Sequence, residues 1–313
     1  MPYNSAIERA DVDGIIPVEY SNEFVAGIAE SSHVMRLARR LRDMSRYQNT
    51  LPILSALATG YFTNGDTGLN QTTEMEWTDK VIQAEEVNAI VPIPRNVIRD
   101  ASINLWEYVR EDLITALGVV IDNAVLHGTN KPTSWPTAIV TAAASASNTV
   151  ALGTGADLYE DLLDEGGVFS KVELDGYMVT GSLAHLVMRG KLRGVRDADG
   201  QPIFSRSMQE ANNYLLDGAP IDFPTNGTMV TTAPLIAGDW SRLVYSMRQD
   251  MEWEMSNQAV IQDSGGNIVY NLFQQNMVAM KVTMRLGFQV PNPINRVNST
   301  AATRYPFATL TDS

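Results

Sequence analysis

Three histidines, His33, His127 and His185, are the first residues to ask for chemistry, since imidazole titrates near neutral pH and is the commonest metal ligand. They lie far apart in the sequence, each alone and without a metal-type spacing, and read as core or surface side chains. The chain has no cysteine, so disulfides and thiolate metal sites are excluded. Asp197, Asp199 and Gly200 start like a calcium loop, but the third acidic ligand and the distal Glu are missing, which leaves a tight turn in DADGQP. No Gly-x-Ser-x-Gly elbow, phosphate loop or dinucleotide fingerprint occurs. Acidic pairs are plentiful, yet spacing alone does not separate a general acid from solvated carboxylates. No catalytic, cofactor-binding or metal-binding residue is therefore assigned, and the chain is not read as an enzyme.

Charge is the chemistry that remains. A net charge of -13 argues against a protein that grips nucleic acid by neutralising phosphates. The charge is uneven, however. Arg36, Arg39, Arg40, Arg42 and Arg46 crowd one segment, while Glu74, Glu76, Asp79, Glu85 and Glu86 crowd another against Lys80 alone. These are either two solvated faces or complementary contact surfaces between subunits.

The elements that must position these groups hang from one stretch, Asp100 to Pro132. At helical pitch it puts Trp106, Val109, Leu113, Leu117, Val120 and Ala124 in one stripe, widened by Ile103, Ile114, Ile121 and Val125, with Glu111, Asp112, Thr115, Asp122 and Asn123 opposite. Asp100 or Ser102 can cap it, and Gly128 with Pro132 can stop it. Arg110 intrudes on the apolar side, so its stem can pack and its charge needs a partner. The 313 residues predict two domains or one with long extensions. No apolar run is long enough to cross a bilayer, and the first residues lack the basic start and apolar block of a signal peptide.

Residues 1 to about 20 read as an extended arm; a helix capped by Ser21 follows, and the VMRLARRLRDM segment after it is helical or closes as strand. Leu51 to Pro94 predicts a long two-stranded loop with GYFTNGDTGLNQTT at its tip and Glu74 to Ile93 as return strand. A low-complexity joint, Thr141 to Gly155, opens a second domain. There Asp157 caps a short helix through Leu163, and DGYMVT reads as a strand entering the helix SLAHLVMRGK. Two alternating strands close the chain, Tyr245–Met255 and Val278–Val290, with SGGN as the turn between them. The tail from Pro291 is expected to be extended and surface-laid. The mixture is α+β.

Taken in order, these pieces resemble the tailed-phage major capsid proteins of the HK97-like fold over nearly the whole chain. The resemblance is carried by PIPRNVIRDAS leading into the long helix, DNAVLHGTNKPTSWP at its end, DADGQPIF after LAHLVMRGKLRGV, YLLDGAPIDF, GDWSRLVYSMRQDMEWEM and LFQQNMVAMKVTMRLGFQVPNP. It implies an N-terminal arm (1–50), an extended E-loop (51–92), a peripheral domain with the spine helix (93–135 and 241–313) and an axial domain (136–240). It further implies self-assembly as hexamers and pentamers into an icosahedral virion shell that encloses double-stranded DNA without sequence-specific binding. Assembly would take place in the host bacterial cytoplasm, with no cofactor and no membrane. Relatives with a built-in scaffolding segment carry a long charged helix before the arm; this sequence starts almost at the arm, so a separate scaffolding protein is expected, with a portal and, optionally, decoration proteins. Some relatives join subunits by an isopeptide bond from a loop-tip lysine. The tip here has none, and Lys80 sits on the return strand among acids, so a noncovalent shell is expected. The alternatives are an encapsulin-type compartment, which shares the fold, and a soluble two-domain enzyme.

Overall fold

The computed structural model describes residues 32–63, 65, 68–102, 104–196 and 214–312. The arm before residue 32 with its Ser21-capped helix, Ile103, and the DADGQP turn lie outside the described residues. The described chain opens with α1 (His33–Leu37) and β1 (Arg39–Arg40), then β2 (Gln48–Ala56), β3 (Glu76–Gln83), β4 (Glu85–Pro94), α2 (Arg95–Asp100) and α3 (Leu105–Leu126). Next come α4 (Ile139–Ser145), β5 (Thr149–Ala151), α5 (Leu158–Leu163), α6 (Val168–Leu174), β6 (Gly181–Ala184), α7 (Leu186–Gly194), β7 (Tyr214–Leu216), β8 (Ala219–Asp222) and β9 (Leu235–Gly238). The last third holds β10 (Val244–Ser256), β11 (Val260–Gln262), β12 (Ile268–Asn271), β13 (Met277–Gln289) and β14 (Phe307–Thr311). The fold is α+β, and no described helix is long and apolar enough to cross a membrane.

Two compact units divide the chain, and the first holds Glu85–Gly118 and Gln249–Leu286. Here β4 runs antiparallel to β13, from Met277 opposite Pro94 to Leu286 opposite Glu85, and β10 lies on the other side of β13. The alternation of β13 sends Met280 and Val282 to one face, where Leu113 and Leu117 of α3 cover them beside Trp106, Val109 and Trp253. Arg110 finds the partner its position demands: its guanidinium sits 5.0 Å from the centre of the Trp253 ring. The turn at SGGN joins β11 to β12 and not β10 to β13, because the short apolar runs on either side of it pair locally, at a smaller loop-closure cost than two long strands would face. Along β10 the expected faces hold in part: Met247 is buried, Trp253 packs against the core, and Arg248, Asp250, Glu252 and Glu254 are exposed, but three residues depart from the pattern. Ser246 is buried and donates to the Arg42 carbonyl at 2.7 Å, while Met251 and Met255 are exposed.

The second unit holds Ser32–Ala84, Val119–Arg248 and Gly287–Ser313. Its core is a six-stranded sheet in the order β5-β14-β9-β6-β8-β7. Leu162 of α5, Val168, Phe169 and Val172 of α6, and Met188 and Leu192 of α7 pack on Leu235, Ala237 and Leu310 of its strands. Asp157 caps α5 as its spacing predicts, accepting from the Tyr159 and Glu160 N–H groups at 2.8 and 3.2 Å. The end of the chain is not surface-laid: β14 lies between β5 and β9 with Phe307 and Leu310 fully buried. Its five residues follow a polar tail and carry too short a pattern to announce a central strand. The strand expected at DGYMVT comes later, at Gly181–Ala184, leaving Met178 exposed.

The long helix is shorter at its start than its periodicity suggests. Asp100 ends α2, the backbone turns extended at Ala101, and α3 begins at Leu105. Its end matches the expected stop: Gly128 takes φ +78°, a left-handed conformation, and donates to the Ala124 carbonyl at 3.2 Å. The loop from Leu51 to Pro94 also divides. β2 pairs with β3 from Gln48 opposite Gln83 to Ala56 opposite Glu76, whereas the rest of the expected return strand is β4. Ala84, buried between them, donates to the Tyr47 carbonyl at 3.0 Å and closes the hairpin before β4 starts.

Gly238 in β9 is required by close approach, since a Cβ there would collide with the Pro306 carbonyl and the Phe307 ring. Gly238→Ala should lower stability by about 1 to 3 kcal/mol. Gly60→Ala, with nothing within 4 Å of the added carbon, should stay within about 0.5 kcal/mol of wild type; urea unfolding of both checks the contrast.

Candidate functional site

The arginine-rich segment begins at a buried carboxylate. Asp122, placed on the wet face of the long helix by its periodicity, is in fact 0% exposed. One of its oxygens accepts from the Ser32 hydroxyl and, at 3.2 Å, from the Val34 N–H; the other accepts from the His33 N–H at 3.0 Å. It thus satisfies the free N–H groups that open α1, with Ser32 in turn accepting from the Met35 N–H at 3.1 Å. Burial pushes the Asp122 carboxyl above the usual range, against the pull of the hydrogen bonds it accepts. The His33 ring, also buried, places Nδ1 2.9 Å from Asp222 at the end of β8, and Arg36 reaches the same carboxylate. Two carboxylates from different elements therefore hold α1 in place. The signal in the sequence was a charge set inside the apolar run VVIDNAVL, where it needs a buried partner.

From this anchor the chain runs along β10. β1 lies parallel to it, Arg39 opposite Val244, and the Met44 N–H donates to the Met247 carbonyl at 2.7 Å. Met44 then packs with Ile82, Ala84 and Val244, beside Leu41 and Leu51, to seat the base of the hairpin. Of the arginines, Arg39, Arg40 and Arg46 are exposed, and so are the side chain of Arg36 and Arg42. Arg36 is engaged by Asp222 and Arg40 by Asp43 at 2.9 Å. The acidic residues part company: Glu74, Glu76 and Asp79 are exposed on the hairpin, whereas Glu85 and Glu86 belong to β4 in the other unit, Glu86 accepting from Asn88 at 2.7 Å.

The hairpin carries an apolar surface that nothing in its own unit covers. Tyr61, Phe62, Leu69, Met75 and Trp77 are exposed at or near its tip, Trp77 to 62%. Sequence reasoning singled out the polar tip and passed over these side chains. The histidines do structural work. His127 Nε2 donates to the Thr228 carbonyl at 2.9 Å, and burial lowers its pKa, keeping the ring neutral. His185 caps α7, its Nδ1 accepting from the Val187 N–H at 3.2 Å. Among the described residues no group of His, Asp and Glu could hold a metal ion.

Comparison with known proteins follows the same line. Residues 13–295 match the phage capsid family. The probable major capsid protein of Mycobacterium phage D29 is 24% identical over 284 residues, covering 88% of this chain and 86% of that one. A solved structure from Microbacterium phage Oxtober96 superposes with a TM-score of 0.82 at 31% identity, covering 99% of this chain and 100% of that one. The capsid of a native GTA particle shares the fold, at a TM-score of 0.66 and 12% identity with 99% of each chain covered.

Asp122→Ala strands the donors it satisfies and should cost about 3 kcal/mol or more in urea unfolding; Asp122→Asn, which keeps one acceptor, should cost less. Because burial holds the folded-state pKa above the unfolded value of about 3.9, the ionised group contributes less stability than the protonated one. The stability of wild type relative to Asp122→Asn should therefore fall as pH rises above about 4, and a rise over that window would contradict the assignment.

Proposed function

Because the chain belongs to the phage capsid family, we propose that it acts by assembly, each copy holding its neighbours through contacts that include the exposed hairpin tip. It is a major capsid protein of the tailed-phage type with the HK97-like fold, a structural subunit of a virion shell. The family match favours this reading over a compartment built around protein cargo and over a soluble two-domain enzyme. The finer reading is a closed icosahedral shell of hexamers and pentamers, assembled in the host cytoplasm around a scaffolding protein, with a portal and optional decoration proteins, and filled with double-stranded DNA. Heterologous contacts that close by rotation give such rings.

In this reading residues 1–50 are an arm, 51–92 an E-loop, 93–135 and 241–313 a peripheral domain whose spine is α3, and 136–240 an axial domain. Strand β14, in the range this reading gives to the peripheral domain, pairs with β5 and β9, which it gives to the axial one. The observation that carries the reading is the uncovered hairpin. A soluble monomer rarely exposes so many large apolar side chains along one hairpin, and a neighbouring subunit would bury them.

Expression together with the proposed scaffolding protein should yield sedimenting particles; only monomers or dimers across a range of salt and concentration would refute the shell. The particles should be noncovalent. Lys80 lies on β3 opposite Leu51, below the tip, and is the only lysine of the loop. Mature particles boiled in detergent should run as one monomer band. A ladder of pentamer- and hexamer-sized species lost on Lys80→Ala would contradict this.

A further inference from the structure

The charged residues sort themselves by subtraction. Of the five arginines, Arg36 is held by Asp222 and Arg40 by Asp43, which leaves Arg39, Arg42 and Arg46 exposed and without a described carboxylate. Of the five acids, Glu85 and Glu86 belong to β4, which leaves Glu74, Glu76 and Asp79 exposed on the hairpin. Neither group meets the other inside one chain, and the hairpin register gives the reason. Arg46 lies just before Gln48, at the base, but Asp79 is opposite Pro52 and Glu76 opposite Ala56. At about 3.3 Å per residue the acids stand roughly 13 to 26 Å up the hairpin, far beyond the 4 Å or so of an ion pair. The hairpin carries its acids away from its own arginines and toward whatever lies beyond its tip.

We propose that Arg39, Arg42 and Arg46 are the seat for Glu74, Glu76 and Asp79 on the hairpin of a second copy of this chain. The proposal rests on the shell reading above and adds to it the residues that fix where a neighbour's hairpin lands. Among the described residues β1 is the outer strand of its sheet, with Arg39 on it and Arg42 and Arg46 just after it, so the seat lies along a sheet edge. Trp77 and Asp79, two residues apart on β3, share one face, so a guanidinium can bond the carboxylate while lying on the exposed indole. Nucleic acid is the weaker occupant, because a chain of net charge -13 repels a phosphate backbone over most of its surface, whereas the hairpin brings its acids in complementary number.

The test is a charge exchange in the full chain, under conditions where wild type forms shells. Arg39→Glu, Arg42→Glu and Arg46→Glu together should reduce the yield of sedimenting shells about tenfold or more, and so should Glu74→Lys, Glu76→Lys and Asp79→Lys together, since weak pairs repeat at every subunit. Combining both sets should restore the yield to within about threefold of wild type. The neutral set Arg39→Gln, Arg42→Gln and Arg46→Gln guards against misfolding. It should melt like wild type, assemble more weakly, and show less dependence on salt. Reversed sets that assemble like wild type, or a combined variant no better than either set alone, would overturn the pairing while leaving the shell standing. An arginine set that assembles normally but loses affinity for duplex DNA would overturn it in favour of nucleic acid. A wild type that forms no shell at all would remove the shell reading and this proposal together.

Discussion

A carboxylate taken wholly out of water governs how this chain is organised. Ionised and unpartnered, Asp122 would cost the fold several kcal/mol. It is tolerable because Ser32, His33 and Val34 turn their donors onto it, and they can do so only when the chain takes up α1 at that place. Once α1 is held, Arg39 and Arg40 fall beside β10, Met44 reaches its pocket against Ile82 and Val244, and the hairpin has a base. The position of the hairpin thus follows from a hydrogen-bonding demand near the end of α3, far along the chain from the hairpin itself.

The hairpin is a different kind of object. Two strands alone are marginally stable in water. Below, it is pinned by Ile82 at the base; above, the Leu54 carbonyl accepts from the Ile294 N–H at 3.1 Å and the Ala58 carbonyl from the Arg296 guanidinium at 2.9 Å, while Tyr61, Phe62 and Trp77 stay exposed. Each unit has a packed core, and the hairpin tip has none of its own among the described residues. Tyr61, Phe62 and Leu69 nevertheless stay exposed at the tip, an arrangement that suits a segment proposed to be covered by a second copy. That is the physical content of the family assignment.

What could be read from the residues depended on how local the governing interaction is. The Asp157 cap, the Gly128 stop and the alternation of β13 involve neighbours a few residues apart, and all were legible. The break between α2 and α3 was missed because Asp100 and Ser102 are as good at capping a helix as at interrupting one. Asp122, β14 and the split between β3 and β4 each depend on a partner far away in the sequence, which periodicity does not contain. The two charged clusters were visible at once. The geometry separated the members already engaged, Arg36 and Arg40, from those left open, and moved Glu85 and Glu86 to another element.

The central claim is that the hairpin is completed by a neighbour, and hydrogen exchange on unassembled subunits and on shells tests it most directly. Amides of β4, β9 and β13 should be protected in both states, because their partners lie within the same chain. Amides around the hairpin tip, 57 to 75, should exchange freely in the unassembled subunit and slow by about tenfold or more in the shell, where a neighbour covers them. Equal exchange at the tip in both states would mean that no neighbour lies on it, and would contradict the claim outright.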